Sequence, residues 1–401
     1  MVKILCEKDA LEKALRVAEV CSGSKGDPSS FVFLSVSALV PEEGGDPVPL
    51  VNLYSGAPRR PQAKTPLVVS SVEGSGTLSL EAWRLRQWLS AAVGDQVSLS
   101  LKDKNVHVSI VGKKGEVRFP CAPIADFVFA EQELGRSVRK ISMDKVKFLS
   151  MLRYAKSFCS TEAETIKPNL AVADVGGGRM WASKSLLCAI LESEELKEGD
   201  FVIYAGHVSE AVAFLATVQG ATLEILEDPG EPTGEGGGVR KATFLSVGGS
   251  VLELPWFDHR FPRQMFKEKE LTTPGDMIWT VDTKGLRSAI RSVTASAPVG
   301  NDSLRLVYAK GEELGIRIPS VTGGDDTVYL PLECTGSLDL EALEIKFSLV
   351  LFQTLLDQHR GDQFSLEIFP KDPKVLPGKG KVAVRSTHDN CNYLTFLVWA
   401  S

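Results

Sequence analysis

Residues 347–369 read FSLVLFQTLLDQHRGDQFSLEIF, and the fold prediction starts from this stretch because its pattern occurs twice earlier in the chain. An apolar segment with helical spacing is followed by a glycine and then by alternating apolar and polar residues, which is typical of a helix that leads into a strand. The earlier copies are EAWRLRQWLSAAVGDQVSLSL at residues 81–101 and VSEAVAFLATVQGATLEIL at residues 208–226. Three copies of one unit predict three similar domains.

A second set of three helices precedes these copies. Apolar residues recur at helical spacing from about residues 8, 143 and 282, so the period is roughly 135 to 140 residues. Many short alternating segments lie between the helices. This arrangement predicts an α+β fold in which two helices per domain pack on antiparallel sheets, and it excludes a βαβ series.

The period places the expected domains at residues 1–135, 136–273 and 274–401. Residues 41–66 are rich in Pro and Gly, which predicts a loop with at most one short strand, near residues 50–54.

The composition is that of a soluble globular protein, with 43% hydrophobic and 24% charged residues among 401. The formal net charge of -6 means that DNA binding would depend on where positive charge is concentrated. No run of about 18 apolar residues and no signal-peptide pattern occur, so we expect a cytoplasmic protein. Seven cysteines are scattered without a C-x-x-C pair, which predicts reduced core residues rather than a zinc site or a disulfide framework.

Motifs for catalysis are missing from the sequence. It contains no glycine loop that ends in Lys-Ser/Thr, no G-x-S-x-G turn and no H-E-x-x-H helix. None of the five histidines has a second His or Cys at ligand spacing. We therefore predict a protein that is not an enzyme and that holds no metal and no cofactor. A hydrolase using His388 and Asp389 is the enzyme alternative.

Positive charge is concentrated on the predicted helices. In the middle third, one acid accompanies four bases on the first helix, and in the last third the first helix has three bases and no acid. On a single helix such residues are typical of a solvated face. Because several repeats share the feature, the helices are predicted to form a common surface suited to DNA phosphates, without reading bases.

Two further segments end the first and second thirds: GEVRFPCAPIADF at residues 115–127 and FDHRFP at residues 257–262. With the triple repeat, their order and spacing make the sequence resemble the bacterial sliding clamp, the β subunit of DNA polymerase III. In that family the first domain ends in a strand, a short loop and Ala-Asp-Phe, and the second in a strand that runs into Arg-Phe-Pro. The resemblance extends along essentially the whole chain.

The resemblance implies three tandem clamp-type domains per protomer and a head-to-tail homodimer that closes into a ring around double-stranded DNA. Such a ring is a processivity factor of DNA replication, cytoplasmic and nucleoid-associated, which tethers the polymerase without chemistry of its own. Carried over by position, the DNA-binding candidates are Lys25, Arg84, Arg86, Lys147, Arg153, Lys156, Lys167, Lys284, Arg287 and Arg291. Ring closure is expected to join an edge strand at residues 105–111, with Val106 and Val108 in the dimer interface, to the third domain of the partner.

The resemblance also implies a hydrophobic groove that receives short linear motifs of the polymerase and the clamp loader. The matching positions are Leu187, Pro262, Phe266, Leu394, Phe396, Leu397 and Val398. Where the family commonly has Thr-Asp-Gly-His-Arg-Leu, residues 183–188 read SKSLLC, and residues 397–401 read LVWAS instead of Met-Pro-Met-Arg-Leu. These departures leave a second hypothesis open: a clamp-like module that binds peptide motifs but does not encircle DNA.

Overall fold

The structure of the protein is a computed structural model. It describes residues 2–23, 30–39, 48–56, 60–121, 139–160, 170–228, 242–255, 257, 259–297, 301–309, 313–319, 327–336, 342–370, 380–388 and 391–399. The chain divides into two compact units, one of Met1–Leu149 with His207–Phe257 and one of Ser150–Gly206 with Asp258–Ser401. The division into three domains stays a prediction.

Helices and strands are numbered in chain order. The α-helices of the described residues are α1 (Lys8–Ala18), α2 (Ala82–Ala91), α3 (Lys145–Phe158), α4 (Ala205–Thr217), α5 (Glu268–Thr272), α6 (Thr283–Ser296) and α7 (Leu349–Gln358). The strands are β1 (Lys3–Glu7), β2 (Phe31–Leu39), β3 (Val48–Gly56), β4 (Gln62–Leu67), β5 (Ser71–Glu73), β6 (Gly76–Glu81), β7 (Gln96–Lys102), β8 (Asn105–Ile110), β9 (Val117–Pro120), β10 (Arg139–Asp144), β11 (Val172–Gly176), β12 (Arg179–Lys184), β13 (Leu187–Glu192), β14 (Val202–Tyr204), β15 (Thr222–Asp228), β16 (Ala242–Val247), β17 (Ser250–Pro255), β18 (Met277–Asp282), β19 (Ser303–Ala309), β20 (Glu313–Arg317), β21 (Thr327–Pro331), β22 (Glu333–Gly336), β23 (Ala342–Ser348), β24 (Gln363–Pro370), β25 (Gly380–His388) and β26 (Cys391–Trp399).

The first unit contains two antiparallel sheets. One has five strands in the order β5-β1-β7-β8-β9, and the other has eight in the order β10-β15-β16-β17-β4-β3-β2-β6. In the larger sheet β17 pairs with β4, with Leu252 opposite Ala63. Strands that are far apart in the sequence therefore share one hydrogen-bonded sheet.

The Pro- and Gly-rich residues 41–66 form more sheet than the sequence predicted. β3 and β4 pair antiparallel, with Leu53 opposite Thr65, where at most one short strand was expected. Val51 and Leu53 are buried in the core of this unit. Residues 51–56 of β3 are all buried. Burial of both faces favours the strand, and it outweighs the turn signals of the neighbouring Pro and Gly residues.

The second unit also contains two antiparallel sheets. Nine strands lie in the order β14-β11-β12-β13-β26-β25-β24-β18-β22, and four lie in the order β21-β20-β19-β23. β26 is inserted between β13 and β25, so Phe396 stands opposite Cys188 on one side and Ala383 on the other.

The predicted repeat is present in the structure, because the three quoted stretches form α2 and β7, α4 and β15, and α7 and β24. The strand before each preceding helix pairs with the strand of its quoted stretch: β1 with β7, β10 with β15 and β18 with β24. The first residue of each preceding helix also donates its backbone N–H to the loop that follows the second helix. These bonds are Lys8 to the Asp95 carbonyl at 2.7 Å, Lys145 to Ala221 at 2.8 Å and Thr283 to Asp362 at 2.8 Å.

The helices bury one apolar stripe each against the sheets. On α1, Leu11 and Leu15 are fully buried and Ala14 nearly so, and burying a leucine side chain contributes roughly 1.5–3 kcal/mol. Asp282 caps α6 by accepting the Gly285 N–H at 2.6 Å. The prediction of an α+β fold is confirmed. Within the described part of the chain, no helix is long and apolar enough to span a membrane.

Candidate functional site

Residues 259–273, here called the strap, cross one face of the nine-stranded sheet. The register defines that face, because directly opposite residues of an antiparallel pair point to the same side. Trp181 on β12 stands opposite Ile190, Ile190 opposite Leu394, and Leu394 opposite Arg385 on β25. Strap residues contact the first and last members of this row, and they also bond Asp174 on β11, which stands opposite Trp181, so the strap extends over five strands.

Asp174 on β11 holds the beginning of the strap. Its side chain is fully buried. One carboxylate oxygen accepts from Arg260 at 2.8 Å and from Arg263 at 2.6 Å. The other accepts the backbone N–H of Phe261 at 3.0 Å and Nε of Arg263 at 3.1 Å. A Cβ at residue 176 would lie 2.1 Å from a guanidinium nitrogen of Arg263, so this approach requires the glycine present there.

An aromatic cluster lies under the middle of the strap. Phe261 stacks on Trp181 with ring centroids 5.7 Å apart, and Phe266 lies 5.8 Å from Trp181 and 4.9 Å from Phe396. All four side chains are buried. Each such ring pair contributes roughly 0.5–1.5 kcal/mol beyond the burial of its area, and together they fix the strap to the sheet.

Two cations of β25 hold the end of the strap. Lys381 Nζ donates to the Met265 carbonyl at 2.9 Å and to Glu270 at 2.8 Å, and it lies 4.6 Å from the centre of the Phe266 ring. Arg385 donates to the carbonyls at the C-terminal end of the short helix α5, at distances of 2.7 to 2.9 Å. Cations at this position satisfy the carbonyls that the helix leaves unpaired.

A further ion pair lies over the middle of the strap. Arg179 donates two hydrogen bonds to Glu268, at 2.9 and 3.1 Å, and one to Glu192 at 2.7 Å. These two bonds, which Glu268 accepts, raise the pKa of Arg179 and lower the pKa of Glu268. Since the Glu268 side chain is 67% exposed, water screens this pair, and it stabilises the strap less than Asp174 does.

The structure divides the predicted groove residues between two faces of the sheet. Leu394, Phe396 and Phe266 lie on the strap face. Leu187 and Leu397 are paired with each other on the opposite face, where Thr395, another residue of that face, bonds Tyr154 of α3 at 2.7 Å. Pro262 is half-buried, and the side chain of Val398 lies outside the described residues.

Exposed apolar surface near this region comes from two other residues. Leu186 lies in the turn between β12 and β13 and is 47% exposed, and Met265 in the strap is 57% exposed. The preceding Ser185 has a φ of 54°, a left-handed conformation that is uncommon for a residue with a side chain.

Sequence reasoning missed the residues that position the strap, namely Asp174, Trp181, Lys381 and Arg385. They lie on three different strands, β11, β12 and β25, and only the segment at residues 257–262 pointed to this region. An isolated Asp or Trp within a strand carries no signal of its partner, because the partners are about 80 to 120 residues away.

The cations predicted on α2 are exposed but paired with acids. Arg84 lies 3.2 Å from Glu81, and Arg86 lies 2.8 Å from Glu19. The arginine side chains are 46% and 59% exposed, but the carboxylates are only 18% and 15% exposed. Moving either guanidinium to a phosphate would therefore leave a largely buried carboxylate without this partner. A cleft of about 760 Å³ separates α1 from α2, and it is lined by Lys8, Glu12, Arg16, Trp83, Arg86, Gln87 and Ser90.

The cations predicted on α3 are of two kinds. Arg153 and Lys156 are exposed and have no ion pair with any residue of the described ranges. Lys147 is half-buried, and its backbone N–H donates to Asp144 at 2.8 Å. Lys25 and Lys167, the remaining predictions in the first two thirds of the chain, lie outside the described residues.

On α6, Lys284 and Arg291 are exposed, whereas Arg287 is half-buried. Arg287 donates to the carbonyls of Leu356 and His359, both at 2.9 Å, at the end of α7. A cleft of about 640 Å³ between α6 and α7 is lined by Arg287, Ile290, Arg291, Gln353, Leu356 and Asp357.

The bond of Arg287 has counterparts in the other two repeats. Lys8 Nζ donates to the carbonyl of Ala92, the residue after α2, at 2.7 Å, and Lys145 Nζ donates to that of Val218, the residue after α4, at 2.8 Å. A cation therefore stabilises the end of the second helix in every repeat. This contact gives Arg287 a structural role.

The predicted interface strand requires a correction. β8 is paired on both sides, with β7 and with β9, so it is not an edge strand. Val106 and Val108 are fully buried, because the inward residues of β8 face the core. Among the described residues, β9 and β5 occupy the two edges of this sheet.

The residues of the enzyme alternative cannot be placed, since the His388 side chain and Asp389 lie outside the described residues. Among the residues that are described, no group of three or more His, Cys, Asp or Glu side chains is arranged to hold a metal ion.

Solved structures of bacterial sliding clamps share this fold over the whole chain. The sliding clamp of Pseudomonas aeruginosa bound to griselimycin is 16% identical, with a TM-score of 0.75 over 100% of this chain and 99% of that one. The DNA polymerase III beta subunit of Thermotoga maritima is 14% identical with a TM-score of 0.76, and pol III beta of Caulobacter crescentus is 18% identical with a TM-score of 0.76, both over 100% of each chain. No family model and no curated protein matches the sequence. The resemblance expected from the sequence is thus confirmed in the fold, and the chain has the fold of the sliding clamp, the bacterial DNA polymerase III β subunit.

Proposed function

We propose that this protein is a DNA sliding clamp, a processivity factor that encircles duplex DNA and tethers a polymerase without catalysing a reaction. The observation that carries the proposal is the clamp fold over the full chain, combined with exposed cations on its helices. The formal net charge is -6, yet Arg153, Lys156, Lys284 and Arg291 are exposed on α3 and α6. Phosphate contacts by such residues bind DNA of any sequence.

The ring would form from two protomers joined head to tail, each with three clamp-type domains at residues 1–135, 136–273 and 274–401. The hydrogen bond from the first residue of the first helix to the loop after the second helix supports this division. It occurs once in each domain, from Lys8, Lys145 and Thr283. Edge strands are the elements through which sheets continue from one subunit into the next. β9 is such an edge in the first domain and β21 in the third, among the described residues. We expect the protein in the cytoplasm, associated with the nucleoid.

Partner proteins would bind at the strap face through short linear motifs. The aromatic cluster supplies the apolar anchor, and the buried indole N–H of Trp181 has no acceptor among the described residues. A peptide carbonyl that reached this nitrogen would satisfy the donor. The griselimycin complex of the Pseudomonas clamp suggests that a ligand site on this fold is accessible.

The test is retention on a nicked circular plasmid after incubation with a bacterial clamp loader and ATP. A clamp remains on the circle through gel filtration at moderate salt and is lost once a restriction enzyme linearises the DNA, because a ring slides off free ends. Equal retention on circular and linear DNA would refute encirclement.

The second candidate is the clamp-like module that binds peptides but does not encircle DNA. It is favoured by α4, whose residues Ala205–Thr217 include no Lys or Arg, so this helix offers no cation to DNA phosphates. Sedimentation at micromolar concentration separates the two: a stable dimer supports the clamp, and a monomer supports the module.

A further inference from the structure

Each of the three repeats contains the same arrangement of four strands. Their orders are β4-β3-β2-β6, β13-β12-β11-β14 and β21-β20-β19-β23, and the last strand of each set runs directly into the second helix of its repeat. The residue three positions before that helix is Ser79, Val202 or Lys346. These three residues therefore occupy equivalent positions.

The strand pairing extends this position into a row across all four strands. Directly opposite residues of antiparallel strands point to the same side of a sheet, so each row lies on one face. The rows are Ser79, Phe33, Tyr54 and Lys64 in the first repeat, Val202, Asp174, Trp181 and Ile190 in the second, and Lys346, Arg305, Arg317 and Thr327 in the third. The last set is here called the cation row.

The rows of the first two repeats are buried. In the second repeat Asp174 is fully buried and Trp181 is 3% exposed, and the strap holds this row through Arg263, 2.6 Å from Asp174. In the first repeat the row members on β6, β2 and β3 are at most 7% exposed, and Cys121, the residue after β9, lies 3.2 Å from Ser79. A segment from outside the four strands thus contacts the row in both repeats.

The cation row of the third repeat is accessible to solvent. Lys346 is exposed, and the side chains of Arg305 and Arg317 are 31% and 27% exposed. Both guanidiniums bond one carboxylate of the same sheet, that of Glu344, at 2.8 and 2.7 Å. Within the described ranges, no residue from outside this sheet has a hydrogen bond or ion pair with Arg305 or Lys346.

The charge of the cation row is opposite to that of its counterpart in the second repeat. Arg305 stands where that repeat has Asp174, which the strap binds through two arginines. Glu344 belongs to the next row on this face, and Glu313 to the row after that. Successive rows on one face are about 7 Å apart. A segment lying along the cation row therefore meets three cations, and it needs acidic side chains where the strap has basic ones.

We infer that the cation row is a docking surface for an extended acidic segment of a partner protein, which covers this face as the strap covers its counterpart. Four strands span about 14 Å, a distance that about four extended residues cross. An Asp or Glu at every second residue turns its carboxylate towards the sheet, and carboxylates match the donors of Arg305 and Arg317. This inference goes beyond the proposed function, because it does not require the protein to encircle DNA.

The test measures the binding of a fluorescein-labelled peptide, Gly-Ser-Glu-Thr-Glu-Thr-Glu-Gly-Ser, by fluorescence anisotropy at low salt, where charge pairs are least screened. The same peptide with Gln in place of each Glu is the ligand control and should bind more weakly. Arg305→Ala should weaken binding of the acidic peptide about tenfold, and the more exposed Lys346→Ala about threefold. Lys140→Ala is the protein control, because Lys140 is an exposed strand lysine outside the row, paired with Glu224 at 2.6 Å, and it should leave binding unchanged.

Glu344→Gln separates a loss of binding from a loss of folding. It removes the carboxylate that neutralises both arginines, so the acidic peptide should bind about threefold more tightly. Weaker or unchanged binding by Glu344→Gln, an equal loss in Lys140→Ala, or equal binding of the Glu and Gln peptides would each overturn the inference. If duplex DNA displaces the peptide and also binds Arg305→Ala less tightly, the row is a nucleic-acid site and the inference is wrong.

Discussion

Replacing Asp174 by Asn should release the strap from the sheet. The fully buried carboxylate is the common acceptor for Arg260, Arg263 and the Phe261 N–H, and removal of one partner from a buried ion pair costs about 3–5 kcal/mol. Both guanidiniums are 32% exposed, and Asp200 remains 3.1 Å from Arg260, so water and Asp200 compensate in part. We therefore expect the lower end, about 3 kcal/mol.

Hydrogen exchange of the peptide that spans residues 259–273 measures this loss locally. Backbone N–H groups in it donate within the strap, including Phe266 to Arg263 at 3.2 Å and Glu270 to Lys267 at 2.9 Å. A loss of about 3 kcal/mol makes local opening roughly 150-fold more frequent, and exchange should accelerate by that factor if opening is local. Global unfolding would instead accelerate exchange in the core strands as well.

Asp200→Asn is the control, because its carboxylate is 53% exposed and contacts the same Arg260. Exposed pairs contribute roughly 0.2–1 kcal/mol, so exchange should rise by less than about fivefold. If both variants accelerate exchange of the strap equally, Asp174 is not its anchor.

Three further predictions concern other side chains. Phe266→Ala should cost about 3–5 kcal/mol in urea unfolding because it leaves a cavity in the aromatic cluster, whereas the exposed Met265→Ala should change stability by less than about 0.5 kcal/mol; similar losses would contradict the burial of Phe266. Burial, aided by the charge of Arg60, lowers the pKa of His207 to about 4, so the unfolded chain takes up this proton first, and stability should fall as pH drops from about 6.5 towards 4. His207→Gln should show a smaller fall in melting temperature over that range, and an identical fall would exclude His207 as its source. Burial raises the pKa of Tyr154 to about 12, so stability should fall as pH rises above about 10; Tyr154→Phe should unfold less steeply there, and equal alkaline unfolding would contradict the burial of this phenol.

The local pattern of apolar residues in the sequence was sufficient to predict the repeated helix and strand. Residues 347–369 form α7 and β24 because their apolar residues recur at helical spacing and then alternate, and each period buries one face. The same reasoning located the other two copies. It was less successful where burial competed with turn residues, since β3 and β4 form in a stretch dense in Pro and Gly.

The sites depended on pairings that local patterns do not encode. Leu187 and Leu397 were expected in one groove with Phe396, but a one-residue step along a strand reverses the face, and the register places them on the opposite side. The edge strand was misassigned for a related reason. Apolar and polar residues alternate along β8, and this pattern does not show whether another strand pairs with it. β9, a segment of four residues, pairs with β8 and takes the edge position.

The position of β26 has a consequence for how the chain folds. Leu397 pairs with Leu187, so β13 acquires this neighbour only after another 210 residues have been synthesised, as counted from 187 to 397. Until then β13 and β25 expose unpaired backbone groups and the apolar residues that β26 later covers. Contacts of such high sequence separation slow folding, and exposed strand edges are prone to association during synthesis on the ribosome. The backbone amides of the nine-stranded sheet should therefore be the last to become protected from hydrogen exchange. Chaperones should bind the nascent chain most strongly before β26 has paired.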